Sequence, residues 1–298
     1  MTRIVTVGID GSRESLAAAG WAAGEAVARG ELLRMVHVWS NHAVAVTRYE
    51  EPETHRRRAH GLLDSAARYA LADRPGLRLE TSLLSGDPVR ELCAAGADAD
   101  LLVLGSRGLG GLTGFITGSV SLAVLAHARR PVVLVRAGDS EETAAPDSAN
   151  GEVVVGLGLP ADDEVTGQAF AHAERRGGGL RVVHSWSLPP LYGAHTTGVR
   201  QSILDELAAE AHRGLEEALA PWTAKYPDVP VERRYGRGSA AEALVEASHG
   251  AALVVVGLKR RTGTWGAHVG PVVHAVIHHS AAPVAIVPHD AHDQPRAE

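Results

Sequence analysis

Residues 101–121 read LLVLGSRGLGGLTGFITGSVS, an aliphatic run followed by a glycine-rich segment and the start of an Ala- and Leu-rich stretch. The run LVVVGLKR at 253–260 repeats the first part of this stretch 152 positions later. Three more pairs of segments match in the same order: RIVTVGID (3–10) with EVVVGLG (152–158), RMVHVWS (34–40) with RVVHSWS (181–187), and RPVVLVR (130–136) with APVAIVP (282–288). Four matched pairs in one order indicate a duplicated domain.

The repeat divides the 298 residues into two domains of ordinary size. We expect the domains at 1–137 and 152–288, a linker at 138–151 and a tail at 289–298. The linker is small, acidic and poor in apolar residues, which favours a flexible connection.

Aliphatic runs and Ala-rich stretches alternate along the first domain. They predict strands at 4–9, 32–38, 78–84, 101–104 and 132–135, and helices at about 13–29, 55–73, 88–97 and 119–128. Such alternation is typical of an α/β fold whose parallel strands are joined by right-handed crossovers, with helices on both faces. We therefore expect two tandem open parallel sheets of five strands each. Ligands of such sheets bind beyond the carboxyl ends of the strands.

The amino-acid composition argues against two kinds of partner, nucleic acids and membranes. The formal net charge is −6, which argues against a nucleic-acid partner because phosphate binding needs a concentrated basic face. No apolar run reaches the roughly 18 residues that a membrane helix needs. The single cysteine, Cys93, fits a reducing cytosol, and the start MTRIVTVGIDGS enters a predicted strand without a signal peptide. We expect a cytoplasmic protein with no membrane partner.

Glycine is concentrated between the fourth strand and the fourth helix, where residues 105–121 contain six glycines. Glycines let backbone N–H groups converge on an anion, and a helix start presents unpaired N–H groups and the positive end of its dipole. The hydroxyl of Ser119, near the predicted helix start, can cap the helix or donate to a phosphate oxygen. The segment therefore suits a phosphate, with a plain surface loop as the alternative. The P-loop pattern G-x4-G-K-[S/T] does not occur.

The spacing within this segment is more specific than its glycine content. Gly105, Gly108, Gly118 and Ser119 match G-x2-G-x9-G-[S/T], which resembles the ATP-binding signature of the universal stress protein family. The resemblance covers essentially the whole chain. It implies a five-stranded parallel sheet in the order 3-2-1-4-5, a bound adenine nucleotide (ATP, alone or with Mg2+), and pairing through the fifth strand, as in a homodimer.

Other positions agree with the resemblance in order and spacing. Asp10 resembles the family's aspartate on the adenine and ribose side, and Val38 the residue whose backbone meets the adenine. Gly86-Asp87-Pro88 resembles the family's usual turn before the third helix. The candidate nucleotide-binding residues are Gly8, Ile9, Asp10, Val38, Leu104, Gly105, Arg107, Gly108, Gly118, Ser119 and Val120.

Two of these candidates have a second interpretation. Asp10 can accept hydrogen bonds from a ribose hydroxyl or the adenine amine, or it can cap the first helix in competition with Ser12. Arg107 can reach a phosphate or face solvent.

The second domain departs from the pattern. Gly158 stands at the Asp10 position, Arg260 at the Gly108 position and Pro271 at the Ser119 position. Proline is well tolerated at the first position of a helix, but it lacks the hydroxyl of the serine and the backbone N–H that could donate to a phosphate. The side chain of Arg260 would occupy space that an anion needs. We expect a degenerate nucleotide site there.

Three functions are compatible with these observations. The resemblance implies a stress-response regulator that acts by binding ATP and an unidentified protein partner, with hydrolysis slow or absent. A slow ATPase or nucleotidyl-transfer enzyme is the alternative; it would need a base and a metal-binding carboxylate, for which only Asp10 and Asp87 are nearby. A scaffold with two vestigial sites is the third, and the intact pattern of the first domain argues against it.

The fifth strands offer a surface for contact between the domains. Residues 131–136 and 283–288 are short, aliphatic and flanked by proline, and an open sheet leaves the edge of each with unpaired backbone groups. The linker keeps the two related edges at high effective concentration. We expect them to pair antiparallel around a pseudo-two-fold axis.

The remaining candidates are weaker. His274 and His278 have the i, i+4 spacing of a metal-binding pair, but the sequence supplies no third ligand. His37 and His184 recur at equivalent strand positions, which favours a core or supporting role. Cys93 lies among Ala and Leu and is expected to be a small buried apolar residue.

Overall fold

The computed structural model describes residues 3–39, 52–106, 119–137, 151–186, 201–260 and 269–290. The strands of the first domain are β1 (Ile4–Gly8), β2 (Leu32–Trp39), β3 (Leu79–Ser85), β4 (Leu101–Ser106) and β5 (Val132–Arg136). Its helices are α1 (Arg13–Arg29), α2 (Pro52–Leu71), α3 (Pro88–Ala97) and α4 (Ser119–His127). These elements lie close to their predicted ranges. The second helix begins at Pro52 rather than at 55.

The second domain repeats this alternation. Its strands are β6 (Val153–Gly156), β7 (Leu180–Trp186), β8 (Val231–Arg237), β9 (Leu253–Lys259) and β10 (Val284–His289). Its helices are α5 (Asp163–Arg176), α6 (Gln201–Lys225), α7 (Ala240–Ala247) and α8 (Pro271–His279).

Side-chain caps set the starts of four helices. Asp87 accepts a hydrogen bond of 2.9 Å from the backbone of Arg90 at the start of α3, and Pro88 occupies the first turn. Ser12, Asp162 and Ser239 cap α1, α5 and α7 in the same way. These contacts satisfy N–H groups that have no partner within the helix.

The ten strands within the described residues form one sheet, in the order β3-β2-β1-β4-β5-β10-β9-β6-β7-β8. Each domain contributes five parallel strands, in the order 3-2-1-4-5 for the first domain and its mirror for the second. The two expected sheets are continuous because β5 and β10 pair antiparallel, which confirms the predicted edge contact. The paired residues are Val132 with Ile286, Val133 with Ala285, and Leu134 with Val284.

Two apolar layers cover the sheet. Residues from α1, α2, α5 and α6 pack on one face, where Phe170 and Leu63 are buried. Residues from α3, α4, α7 and α8 pack on the other, where Leu125 and Ile277 are buried. The many Ala and Val side chains let helices lie close to the strands, as expected from the composition.

Contacts beyond the sheet also join the domains. The guanidinium of Arg136, on β5, donates to the carbonyl oxygens of Ile277 at 2.9 Å and Ser280 at 3.0 Å. These carbonyls lie at the end of α8, where they lack partners within the helix and where a cation interacts well with the dipole. The first domain thus caps a helix of the second.

The end of the second domain extends beyond its predicted limit. We expected the tail to begin at residue 289, but β10 includes His289, whose Nδ1 lies 3.2 Å from a carboxylate oxygen of Asp162. Asp290 pairs with Arg260 through two hydrogen bonds, of 2.7 and 3.1 Å. These polar contacts order two residues that composition alone assigned to the tail. Most of the predicted linker, and the tail after residue 290, lie outside the described residues.

Candidate functional site

A cavity of about 450 Å3 opens at the carboxyl ends of β1, β2 and β4 in the first domain. It lies where the strand order reverses, between β1 and β4, which is the usual ligand position of an open α/β sheet. Its wall comes from these strand ends, the start of α1, one side of α3 and the first turn of α4. The lining residues are Gly8, Ile9, Asp10, Ser12, Glu14, Ser15, Val36, His37, Val38, Pro88, Leu92, Leu104, Gly105, Ser119, Val120 and Ser121.

Eight of the eleven candidate residues line this one cavity. They come from three separate parts of the sequence: Gly8, Ile9 and Asp10; Val38; and Leu104, Gly105, Ser119 and Val120. The other three candidates, Arg107, Gly108 and Gly118, lie outside the described residues. The fold therefore brings together every candidate that the structure describes.

Asp10 is held by the residue that caps α1. Its Oδ1 accepts hydrogen bonds from the backbone N–H of Ser12 at 2.9 Å and from the hydroxyl of the same residue at 2.5 Å. The Ser12 hydroxyl oxygen in turn accepts from the N–H of Ser15 at 3.1 Å. Ser12 is therefore the cap, and the cap interpretation of Asp10 is wrong. Asp10 orients the capping hydroxyl while lining the cavity.

His37 supports the end of β1. Its Nδ1 lies 2.7 Å from the carbonyl oxygen of Ile9, and because a carbonyl only accepts, Nδ1 carries the hydrogen. His184 repeats the contact in the second domain, with Nδ1 2.8 Å from the carbonyl of Leu157. The predicted supporting role is confirmed for both. Both histidines also line cavities. Their recurrence at equivalent strand positions was the sequence signal that could have pointed to this second role.

Gly105 is required by packing as well as by any ligand. A Cβ at this position would lie 2.7 Å from the backbone carbon of Glu14 and 2.8 Å from the nitrogen of Ser15. The end of β4 thus touches the first turn of α1 without room for a side chain. Anion binding was the only role expected for this glycine from the sequence, because a contact between segments about 90 residues apart has no local signature. Its carbonyl also accepts from the Ser121 hydroxyl at 3.0 Å.

The described wall is acidic. Asp10 and Glu14 line the cavity, and no Lys or Arg side chain does so among the residues that the structure describes. The first turn of α4, residues 119–121, supplies the opposite polarity, because helix N-termini carry unpaired N–H groups and a partial positive charge. Carboxylates near such a terminus fit a phosphate group that arrives with a divalent cation.

Comparison with known proteins assigns the family. Residues 1–136 and 150–288 each match the model of the family described as "Universal stress protein family". The chain belongs to this family. Universal stress protein Rv2005c of Mycobacterium tuberculosis is 35% identical over 95% of this chain and 96% of its own length. A universal stress protein of Mycolicibacterium smegmatis is 33% identical, again over 95% and 96%.

A solved structure that matches the full length shows the same fold. A universal stress protein from Archaeoglobus fulgidus covers 96% of this chain and 98% of its own, with a TM-score of 0.67 and 18% identity. A universal stress protein solved in complex with cAMP matches 46% of this chain and 98% of its own, with 27% identity and a TM-score of 0.36. The match to the Archaeoglobus fulgidus structure spans both domains of this universal stress protein, so the two structures share the tandem arrangement.

The second domain of this universal stress protein differs at the corresponding positions. Pro271 opens α8, preceded by Gly270, which makes no side-chain capping bond. Arg260, predicted to obstruct an anion, is paired with Asp290. A Cβ at Gly257, the counterpart of Gly105, would meet the side chain of His289 at 2.9 Å instead of helix backbone.

The weaker candidates do not form sites in the described part of the chain. Asp87 caps α3 and is not among the residues that line the cavity, so it is not placed as a metal ligand there. The rings of His274 and His278 lie 4.3 Å apart, but no group of three His, Cys, Asp or Glu side chains in the described ranges could hold a metal ion. Cys93 is half-buried, and burial raises the pKa of its thiol. No helix within the described residues is both long and apolar enough to cross a membrane.

Proposed function

We propose that the first domain binds ATP and that the protein acts as a nucleotide-dependent stress-response regulator. The observation that carries this proposal is the convergence of eight candidate residues, from three distant segments, on one cavity at the switch point of the sheet. Its volume of about 450 Å3 lies in the range of small-molecule sites.

The two ends of the cavity suit the two ends of a nucleotide. Val36, Val38 and Leu92 offer apolar surface for a flat base, and the backbone of Val38, near the end of β2, would make polar contacts with it. At the other end the first turn of α4, with Ser119, suits phosphates. Asp10, which follows the end of β1 and lines the cavity, suits a ribose hydroxyl.

Magnesium fits the acidic part of the wall. With Asp10 assigned to the ribose, Glu14 is the carboxylate that would share an ion with the phosphates, because Mg2+ is usually held by one or two carboxylates together with substrate oxygens. The ion would neutralise phosphate charge that would otherwise be repelled by these side chains.

Calorimetric titration of the full chain with ATP and Mg2+ tests the proposal. We expect one ATP per chain, because the second domain carries Gly158, Arg260 and Pro271 at the matching positions. A stoichiometry near two, or no binding, would contradict it. Turnover of labelled ATP in the same preparation distinguishes a binding protein from the slow ATPase or nucleotidyl-transfer alternative.

Two variants locate the binding in the first domain. Asp10→Asn removes the charge but retains an oxygen for Ser12, and we expect about tenfold weaker binding, the usual effect of losing a charged hydrogen bond. Asp64→Asn, an exposed position on α2, is the matched control and should bind normally. Gly108→Arg, which copies Arg260 of the second domain, should abolish binding while circular dichroism stays unchanged.

A further inference from the structure

A second cavity, of about 990 Å3, lies in the second domain. It opens between the loop after β6, the end of β7 and one face of α6. It occupies the side of the sheet that α5 and α6 cover, whereas the first-domain cavity opens toward α3 and α4. Its lining residues are Gly158, Leu159, Pro160, Ala161, Asp163, His184, Ser185, Trp186, Leu207, Glu210, Ala211, Gly214, Glu217, Ala218 and Pro221.

Small residues on α6 create the space. Ala211, Gly214 and Ala218 recur at spacings of three and four, so they share one face of the helix. A Cβ at Gly214 would lie 3.3 Å from Leu159, on the loop after β6. That loop has six residues between strand and helix, 157–162, whereas the first domain has four, 9–12. The longer loop and the small helical face leave a cleft between them.

His184 presents a hydrogen-bonding atom to this cleft. The residue is only 5% exposed and lines the cavity. Its Nδ1–H donates to the carbonyl of Leu157 at 2.8 Å, so in the neutral ring Nε2 is an acceptor. Nε2 has no hydrogen-bond partner among the residues that the structure describes. Because His184 lines the cavity, this nitrogen can accept a hydrogen bond from a ligand or from water.

Charge on the wall has a single sign. Asp163, Glu210 and Glu217 line the cavity, and its described wall includes no Lys or Arg. Carboxylates repel phosphate and attract protonated amines. Asp163 also accepts a long hydrogen bond from Trp222 at 3.4 Å, whereas Glu210 and Glu217 are exposed on the rim.

The rest of the wall is apolar. Leu159, Pro160, Leu207 and Pro221 offer surface for a hydrophobic body, and Trp186 offers an aromatic ring. Aromatic faces attract cations. Carboxylates at the rim, a histidine acceptor on the wall and apolar surface on the rest of the wall together match one class of ligand.

We propose that the second domain binds a small organic cation, a protonated amine carried on an apolar or aromatic body, in the cleft between α6 and the loop after β6. The amine donates to His184 Nε2 and lies near Glu210 and Glu217, while its apolar part contacts Leu159 and Leu207. The site is separate from the nucleotide cavity of the first domain and does not depend on it.

Three probes with one ring and different charge test this assignment. Phenethylamine, phenethyl alcohol and phenylacetate are titrated into the full chain by calorimetry, with ligand-observed NMR for weak binding. We expect the amine to bind most tightly and phenylacetate least, and we expect only the affinity for the amine to fall as salt is added, because salt screens charges. Equal affinities, tighter binding of phenylacetate, or no binding of the amine would overturn the proposal.

Substitutions place the amine in this cleft. Glu210→Gln and Glu217→Gln should each weaken amine binding about threefold, as for partly exposed charge pairs, and leave the alcohol unchanged. Glu206→Gln, an exposed position on α6 outside the cavity wall, is the control. Ala211→Phe should fill the cleft and remove binding of both probes.

Competition separates this site from the nucleotide site. The amine should bind equally well with and without saturating ATP and Mg2+, and Asp10→Asn should leave amine binding unchanged. Displacement of the amine by ATP, or unchanged amine binding in the Glu210→Gln, Glu217→Gln double variant, would show that the cleft is not the site of a cation.

Discussion

Glu25 on α1 and Arg176 on α5 join the two domains through a partly buried hydrogen bond of 3.1 Å between Oε2 and Nη2. Glu25 is 3% exposed and is surrounded by cations, with Arg29 at 2.7 Å and Arg175 at 3.5 Å. Burial by itself raises the pKa of Glu25, but His172, Arg29 and Arg176 outweigh it and hold the pKa well below its usual range. The carboxylate is therefore the ionised centre of the contact between α1 and α5.

Removal of this charge should loosen the domain contact. Glu25→Gln leaves the three guanidinium groups with less counter-charge, and we expect the free energy of unfolding to fall by about 3 kcal/mol, as for other broken buried pairs. Urea denaturation measures the change. Glu174→Gln, an exposed position on α5, is the control and should change stability by less than about 0.5 kcal/mol. A similar, small effect of both substitutions would show that the pair does not hold the domains together.

His172, beside Glu25, should make stability depend on pH. Burial lowers its pKa from 6.5 to about 4, although Glu25, which lies 3.3 Å from its Nδ1, raises it. Its other neighbours, Arg29 and Arg175, also lower the pKa. The unfolded chain takes up this proton near pH 6.5 and the folded chain only near pH 4, so stability is complete above pH 6.5 and is lost as the pH falls through this window.

The size of this loss of stability follows from the pKa shift of His172. We expect His172 to contribute a decrease of up to about 3 kcal/mol in the free energy of unfolding between these pH values. Urea denaturation across the pH range measures it, and His172→Gln should flatten the profile relative to the wild type. His127→Gln, at an exposed position on α4, should retain the full slope. Identical slopes for all three proteins would contradict the prediction.

Arg136 should stabilise the end of α8 from the other domain. Arg136→Gln removes the guanidinium that donates to Ile277 and Ser280, and we expect a loss of about 2 kcal/mol, typical for charged hydrogen bonds. Amide hydrogen exchange should accelerate at the C-terminal end of α8. Arg129→Gln, exposed after α4, is the matched control. Unchanged amide hydrogen exchange in α8 would show that Arg136 does not stabilise the end of this helix.

Equivalent glycines should differ in their tolerance of a methyl group. Gly105→Ala forces a Cβ against the backbone of Glu14, whereas Gly257→Ala meets the side chains of His289 and Val165, which can move. We expect a destabilisation of about 3 kcal/mol for the first and about 1 kcal/mol for the second, within the range for overpacking. Thermal and urea unfolding of the two variants measure the difference. An equal decrease in the free energy of unfolding for the two variants would show that the first turn of α1 can move to admit the methyl group.

Much of the fold follows from local patterns. The helices at 13–29 and 88–97 lie where the periodicity placed them, because Ser12 and Asp87-Pro88 mark their starts in the sequence. The pairing of β5 with β10 also followed from the sequence, because two short aliphatic edges were held together by one linker. Strand order came from the family resemblance and was confirmed.

The sequence by itself determined the duplication and the α/β alternation, because these depend on spacing along the chain, and its resemblance to the family supplied the first-domain residues that converge at the ends of β1, β2 and β4. The tertiary structure alone decided that Glu25 meets Arg176, that Gly105 touches the backbone of α1, and that the second domain opens a cleft beside α6. Each of these joins segments far apart in sequence. These contacts depend on how the helices pack on the shared sheet. The local periodicity of the sequence carries no information on which distant segments meet there.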